Sequence, residues 1–275
     1  MTPQIRPAAV AGAFYPAAPA VLAHEVRALL AQASASEADA ALPKALVVPH
    51  AGYVYSGPVA AAAYARLRRW RERIRRVVLL GPVHRMPVRG LALPGVQAFA
   101  TPLGTVPVDA DAVAALADLP QVVQSLAAHA WEHALEVQLP FLQAVLREGF
   151  TLVPLAVGDA SAEEVAEVLE RLWGGPETLI VVSSDLSHYH PYGEARRLDA
   201  ESVQTMLELR PVLDHEQACG ATPVNGLLLA ARRHGLHPHL LDLRNSGDTA
   251  GDRSRVVGYA ALSFTEPGHV APGHA

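Results

Sequence analysis

Short unbroken apolar runs alternate along this chain with longer stretches in which apolar residues recur every three or four positions. The runs at 44–49, 76–80, 152–157, 178–183, 239–243 and 256–264 predict strands buried on both faces, because a strand with one wet face would alternate apolar and polar residues. Between them, Pro19–Ala33 reads as an amphipathic helix with Leu22, Val26, Leu29 and Leu30 on one face. Helices are also predicted from about Pro58 to Trp70, from Glu194 to Leu209, and from Pro223 to His234 with Gly235 closing it. Asp109 caps a short helix to about Leu119, and Ser161 with Glu164 forms a capping box for a helix to Trp173. The segment 91–107 is punctuated by Gly and Pro as a hairpin or irregular excursion. Pro140 kinks or divides the periodic stretch 128–142. Alternating strands and helices, with no internal repeat and no linker between two cores, give a single α/β domain over 1–265. It has three layers, α/β/α, around a mostly parallel sheet, and a flexible tail covers 266–275.

The residues just past three of these strands are chemically unusual. The run Leu46-Val47-Val48 leads into Pro49-His50, with Gly52 and Gly57 marking a loop; Val77-Val78-Leu79-Leu80 leads into Gly81-Pro82-Val83-His84; and Ile180-Val181-Val182 leads into Ser183-Ser184-Asp185-Leu186-Ser187-His188. Parallel strands present their C-terminal ends at one edge of a sheet, where ligands of open α/β folds sit. Any one of these histidines alone is best explained by hydrogen bonding at a turn. Three of them with Asp185 and the single cysteine, Cys219, point instead to a mononuclear metal site, since imidazole and thiolate suit Fe(II), Zn and Cu. The loop carrying Tyr53 and Tyr55 then becomes a pocket wall.

Composition narrows the alternatives. At 275 residues and 51% hydrophobic content the chain can bury a large core. A net charge of -5 argues against nucleic acid or an acidic membrane as partner, and the arginines from Arg66 to Arg76 read as a solvated helix end that complements the helix dipole. A lone cysteine makes no intrachain disulfide, and no apolar run reaches the roughly 20 residues of a membrane helix, so a cytoplasmic location is expected. There is no phosphate-binding glycine loop, hence no nucleotide cofactor, and Ser56, Ser183, Ser184 and Ser187 read as loop and cap residues outside any G-x-S-x-G. His129-Ala130-Trp131-Glu132-His133 fits the H-x-x-E-H pattern of inverted zinc peptidases, but three fixed positions are a weak signal in a chain with 13 histidines.

Seven segments, taken together and in order, resemble the Memo-like family, whose prokaryotic members are labelled AmmeMemoRadiSam system protein B. They are Ala9-Val10-Ala11-Gly12-Ala13-Phe14-Tyr15-Pro16, Pro49-His50-Ala51-Gly52-Tyr53, Gly81-Pro82-Val83-His84, Glu132 to Phe141, Ser184-Asp185-Leu186-Ser187-His188, Cys219-Gly220 and Asn245-Ser246-Gly247-Asp248. The resemblance implies a fold akin to class III extradiol dioxygenases. By motif it makes His50, His84 and Cys219 metal ligands and His188 the acid/base residue, with Asp185 beside it. Tyr55, His133 and Glu136 then line or support a substrate pocket. It implies an iron- or copper-dependent oxidoreductase acting on a small molecule, with Fe(II) ahead of Cu or Zn, although a thiolate in place of the dioxygenases' glutamate argues against ring cleavage itself. The alternative it leaves open is a non-catalytic protein that binds a peptide or partner through the same pocket. A zinc peptidase through His129, Glu132 and His133 is the lesser one. AMMECR1-like and radical SAM proteins are the partners that the family name suggests.

Overall fold

The computed structural model describes residues 4–33 and 41–267, and there the apolar runs assemble into one nine-stranded sheet. A two-residue strand, β1 (Ile5–Arg6), opens the chain and pairs outside that sheet with the hairpin β5 (Ala98–Thr101) and β6 (Gly104–Pro107). The large sheet runs β10 (His188–His190), β12 (Val256–Thr265), β2 (Pro43–Val48), β9 (Thr178–Ser183), β3 (Arg76–Pro82), β8 (Thr151–Val157), β4 (Leu91–Leu93), β7 (Val122–Gln124). Strand β11 (His237–Asn245) pairs with β12. The four central strands β2, β9, β3 and β8 are parallel to one another, while β12 and β4 join them antiparallel.

The unbroken apolar runs are explained by two cores, one on each face. Leu46, Val48, Val77, Leu79, Leu179 and Val181 point toward α1 (Pro19–Gln32), α2 (Tyr53–Tyr64) and α5 (Leu139–Val145). Their neighbours Val47, Val78, Leu80, Ile180 and Val182 point toward α6 (Ala162–Leu172), α7 (Tyr192–Leu207) and α8 (Ala221–Arg233). At about 1.5–3 kcal/mol for each fully buried aliphatic side chain, a polar residue in either register would cost more than any local propensity could return. Lys44 shows how one is accommodated: its buried ammonium donates to the carbonyls of Gly175 (3.0 Å) and Thr178 (3.1 Å), just past α6. Burial brings its pKa down to about 8.

The capping box of Ser161 and Glu164 and the Asp109 cap of α3 (Ala110–Ala114) form as the sequence predicts. Two predicted boundaries do not hold. The expected Gly52–Gly57 loop is the first turn and a half of α2, which starts at Tyr53 and carries Pro58 in its interior. Proline removes only one amide donor there, and Gly57 turns inward so that α2 can approach Leu29 of α1. The periodic stretch 128–142 is not a kinked helix. It breaks into α4 (Leu126–Ala130), a turn, a short 3-10 segment over 136–138 and then α5, with Pro140 in the first turn of α5. The last strand ends at Thr265, and most of the predicted tail, 268–275, lies outside the described residues. Among the described residues no helix is long and apolar enough to cross a membrane.

Candidate metal centre and cleft

Strands β2, β9 and β3 lie side by side and parallel, and each releases a polar side chain two residues beyond its end: His50, Asp185 and His84. The topology therefore places all three at one edge. His133 arrives from the turn between α4 and α5, and its ring lies 4.7 Å from that of His84 and 5.3 Å from that of His50. One ring nitrogen from each of His50, His84 and His133 falls within 4.8 Å of the others, a spacing suited to holding a metal ion.

The surrounding hydrogen bonds fix which nitrogen His50 and His84 offer. Ser183 Oγ donates to Ala134 O (2.6 Å), so toward His50 Nδ1 at 2.9 Å it must accept. His50 thus carries its proton on Nδ1 and turns the Nε2 lone pair to the site. In His84, Nδ1 donates to Glu132 Oε1 at 2.9 Å, which again leaves Nε2 bare. His133 Nδ1 is buried 3.2 Å from the same carboxylate oxygen without a well-directed hydrogen bond. This is the arrangement of metal-binding imidazoles, in which a carboxylate or hydroxyl outside the site sets tautomer and ring angle.

Electrostatics keeps the His50 donor neutral. Burial, reinforced by neighbouring His133 and His84, holds His50 well below the usual imidazole pKa. Burial alone would raise the Glu132 carboxyl, but the His133 and His84 imidazoles beside it and the Ala134 amide outweigh it and hold Glu132 well below the carboxylate range. The donor set, three imidazoles at an open edge, fits a first-row transition metal.

Cys219 does not belong to the three-nitrogen cluster. Its sulfur lies 3.3 Å from His50 Nε2 and 3.7 Å from Asp185 O, at the flank of the site. It gets there because Gly220 packs flat against β9: a Cβ on Gly220 would stand 2.7 Å from Ser184 Cβ. Burial, then the nearby Asp185, pushes the Cys219 thiol up to about 12.

The site opens into a cleft of about 470 Å³ lined by Phe14, Tyr55, His133, Asp185, His188, Tyr189, Arg255 and Tyr259, among others. His188 and Tyr55 both line this cleft. Asp185 is buried, its carboxylate accepting from the His50 amide at 2.7 Å, and burial raises its pKa. It both edges the cleft and pins the His50 turn. Glu136 lies elsewhere, its carboxylate held by Arg6, Tyr15 and the amides of Ala9 and Val10, so it supports the N-terminal segment and does not line the cleft.

His129 is not brought to the site either. Its Nε2 faces Ala92 O at 2.7 Å and its ring meets Phe99 edge-on, because α4 ends at Ala130 and the H-x-x-E-H residues do not share a helical face. Three residues of the site escape sequence reasoning. His133 is expected in the pocket but not in the metal cluster, and Glu132 and Ser183 are given other roles. A carboxylate preceding a histidine within a largely apolar stretch is the one signal that could have marked Glu132.

Comparison with known proteins agrees with the motifs. A family model described as Memo-like protein matches residues 6–263. The chain belongs to the Memo family. Curated relatives, each named a MEMO1 family protein, include one from Ignicoccus hospitalis, 35% identical with 96% of this chain and 99% of the relative covered. Another, from Aquifex aeolicus, is 36% identical with 95% and 99% covered. A solved structure of an uncharacterized Escherichia coli K12 protein shares the fold at a TM-score of 0.50 and 16% identity, covering 80% of this chain and 98% of that one. Within the Memo frame the strand-end motifs carry His50, His84 and Asp185, and the Glu132–Phe141 motif carries His133.

Proposed function

We propose that this Memo family protein is a metal-dependent oxidoreductase that takes a small molecule in the cleft beside His188. The observation that carries the proposal is the convergence of His50, His84 and His133, two of them locked by hydrogen bonds with Nε2 toward a common point. His50, His84 and His133 would hold the ion, Fe(II) first with Cu and Zn as competitors, and Cys219 is the adjacent sulfur donor. A bound ion would supply Lewis acidity and, if iron or copper, one-electron chemistry. The chain's own part is positional. His188 reaches the cleft half-buried and offers an imidazole for proton transfer, and Asp185 holds the His50 turn beside it.

The test is anaerobic loading with Fe(II), Cu and Zn, read by elemental analysis of the desalted protein. Wild type is expected to retain about one ion per chain, and the His50→Ala/His84→Ala double variant close to none. Equal retention in both would refute the site. Loading of Cys219→Ser decides whether sulfur joins the nitrogen set: unchanged affinity leaves it outside, and a loss accompanied by reduced proton release on binding places it inside.

A second reading, recognition of a peptide or partner protein without turnover, is favoured by the mouth of the cleft. Tyr189 is 63% exposed there and Arg255 lies over its ring at 5.0 Å. Partner binding that survives removal of metal would support it.

A further inference from the structure

Beneath the site lies a buried polar cluster that neither lines the cleft nor offers a donor to an ion. Arg6 is 1% exposed and Glu136 is fully buried. Arg6 Nε donates to His129 O and Nη2 to Glu132 O, each at 2.7 Å, while Nη1 meets the Glu136 carboxylate and also Pro7 O at 3.2 Å. Glu136 accepts further from Ala9 N (2.8 Å), Val10 N (3.0 Å) and Tyr15 OH (2.5 Å). Two segments, 6–15 and 129–136, are thereby tied by six hydrogen bonds between residues 121–130 positions apart in sequence.

Both segments feed the metal centre. The second carries Glu132 and His133. The first carries Phe14, whose ring packs on His133 at 4.6 Å and whose carbonyl accepts from the Tyr53 amide, where α2 begins. An ion pair this deep is a poor way to add stability, since well-packed apolar residues usually match or better it. What a guanidinium supplies and a hydrocarbon does not is direction: a planar fork of donors that fixes three carbonyls and a carboxylate at set angles.

We infer that Arg6 and Glu136 are positioning residues of the metal centre: they set the backbone from which Glu132 and His133 reach the ion and press Phe14 against His133. The inference rests on the metal reading above. It predicts that disturbing the cluster degrades metal geometry beyond what lost stability explains. The measurement is Co(II) titration of the purified full chain, with affinity and the visible absorption spectrum as readouts. The variants are Arg6→Lys, Tyr15→Phe and, on the opposite face of the sheet, Val168→Ala as a control for stability loss alone.

Wild type should bind one Co(II). Arg6→Lys keeps the charge but loses the fork, and should bind at least about tenfold more weakly with an altered spectrum. Tyr15→Phe deletes one donor to Glu136 and should weaken binding about threefold. Val168→Ala, read at a matched margin below its unfolding temperature, should retain wild-type affinity and spectrum. Wild-type affinity and spectrum in Arg6→Lys would overturn the inference and leave the metal reading standing. If Arg6→Lys does not fold, unchanged binding by Tyr15→Phe overturns it. If Val168→Ala loses affinity as Arg6→Lys does, the effect is stability and the inference fails. A wild type that binds no Co(II) overturns the metal reading and this inference with it.

Discussion

Glu132 is the residue on which the two half-buried histidines depend. It accepts from the His84 amide (2.6 Å), His84 Nδ1 (2.9 Å) and the amides of His133 and Ala134 (both 2.9 Å). Glu132→Gln keeps the shape but turns an amide NH₂ toward donors, leaving at least one buried N–H unpaired at a cost of about 1–3 kcal/mol. It also frees the His84 tautomer, so Zn(II) affinity measured by chelator competition should fall about 10–100-fold. Equal affinity would mean the imidazoles are oriented by packing alone. His50 and His84 were legible in the sequence because a strand end fixes where its next residues go. His133 and Ser183 were not, since their roles exist only once the turn after α4 folds over the ends of β3 and β9.

Among the elements, α6 and α8 show what sequence patterns convey and what they omit. Their helical periodicity and the α6 capping box are local signals, and both helices form where expected. Their closeness is not local. Gly226 sits in the interior of α8, and a Cβ there would lie 2.3 Å from Val165 Cγ1 and 2.4 Å from Val165 Cβ. Alanine in place of that glycine would gain roughly 1 kcal/mol of helix propensity, but overpacking costs about 1–3 kcal/mol and Val165, β-branched and fully buried, has little room to move. Gly226→Ala should therefore destabilise by up to about 2 kcal/mol in urea unfolding. Adding Val165→Ala should restore part of that loss, a favourable coupling from a double-mutant cycle. An additive pair would show that the helices separate freely. Since α8 begins directly after Cys219 and Gly220, a displaced α8 should also move the sulfur from His50. The misplaced start of α2 has a related cause: Gly52, Gly57 and Pro58 look like loop punctuation until α1 is seen to need a smooth face to pack on.

For the whole molecule, the buried imidazoles couple folding to acidity. His129 is 1% exposed, and burial, only partly offset by its hydrogen bond to Ala92 O, brings its pKa to about 4; His50 is shifted the same way. A histidine whose folded pKa is depressed binds fewer protons folded than unfolded. The metal-free protein should keep its full stability above the unfolded value near 6.5 and lose it as pH falls toward 4. For His129 the integrated loss is of the order of 3 kcal/mol. Glu132, held low when folded, adds a loss of the same sign in stronger acid, below about 4.5. Asp185 and Asp199 oppose it: burial raises both, so the folded state binds more protons than the unfolded one just above 3.8, and acid relieves them there. The histidine contribution is thus read most cleanly between about 6.5 and 5. Urea midpoints of the metal-free protein should fall across that window. His129→Gln, whose amide can still donate to Ala92 O, should flatten the fall without abolishing it, because His50 remains. A midpoint that is level from pH 7 to 5 in wild type would mean that His50 and His129 are protonated in the folded state, and the tautomers assigned at the metal centre would have to be abandoned with them.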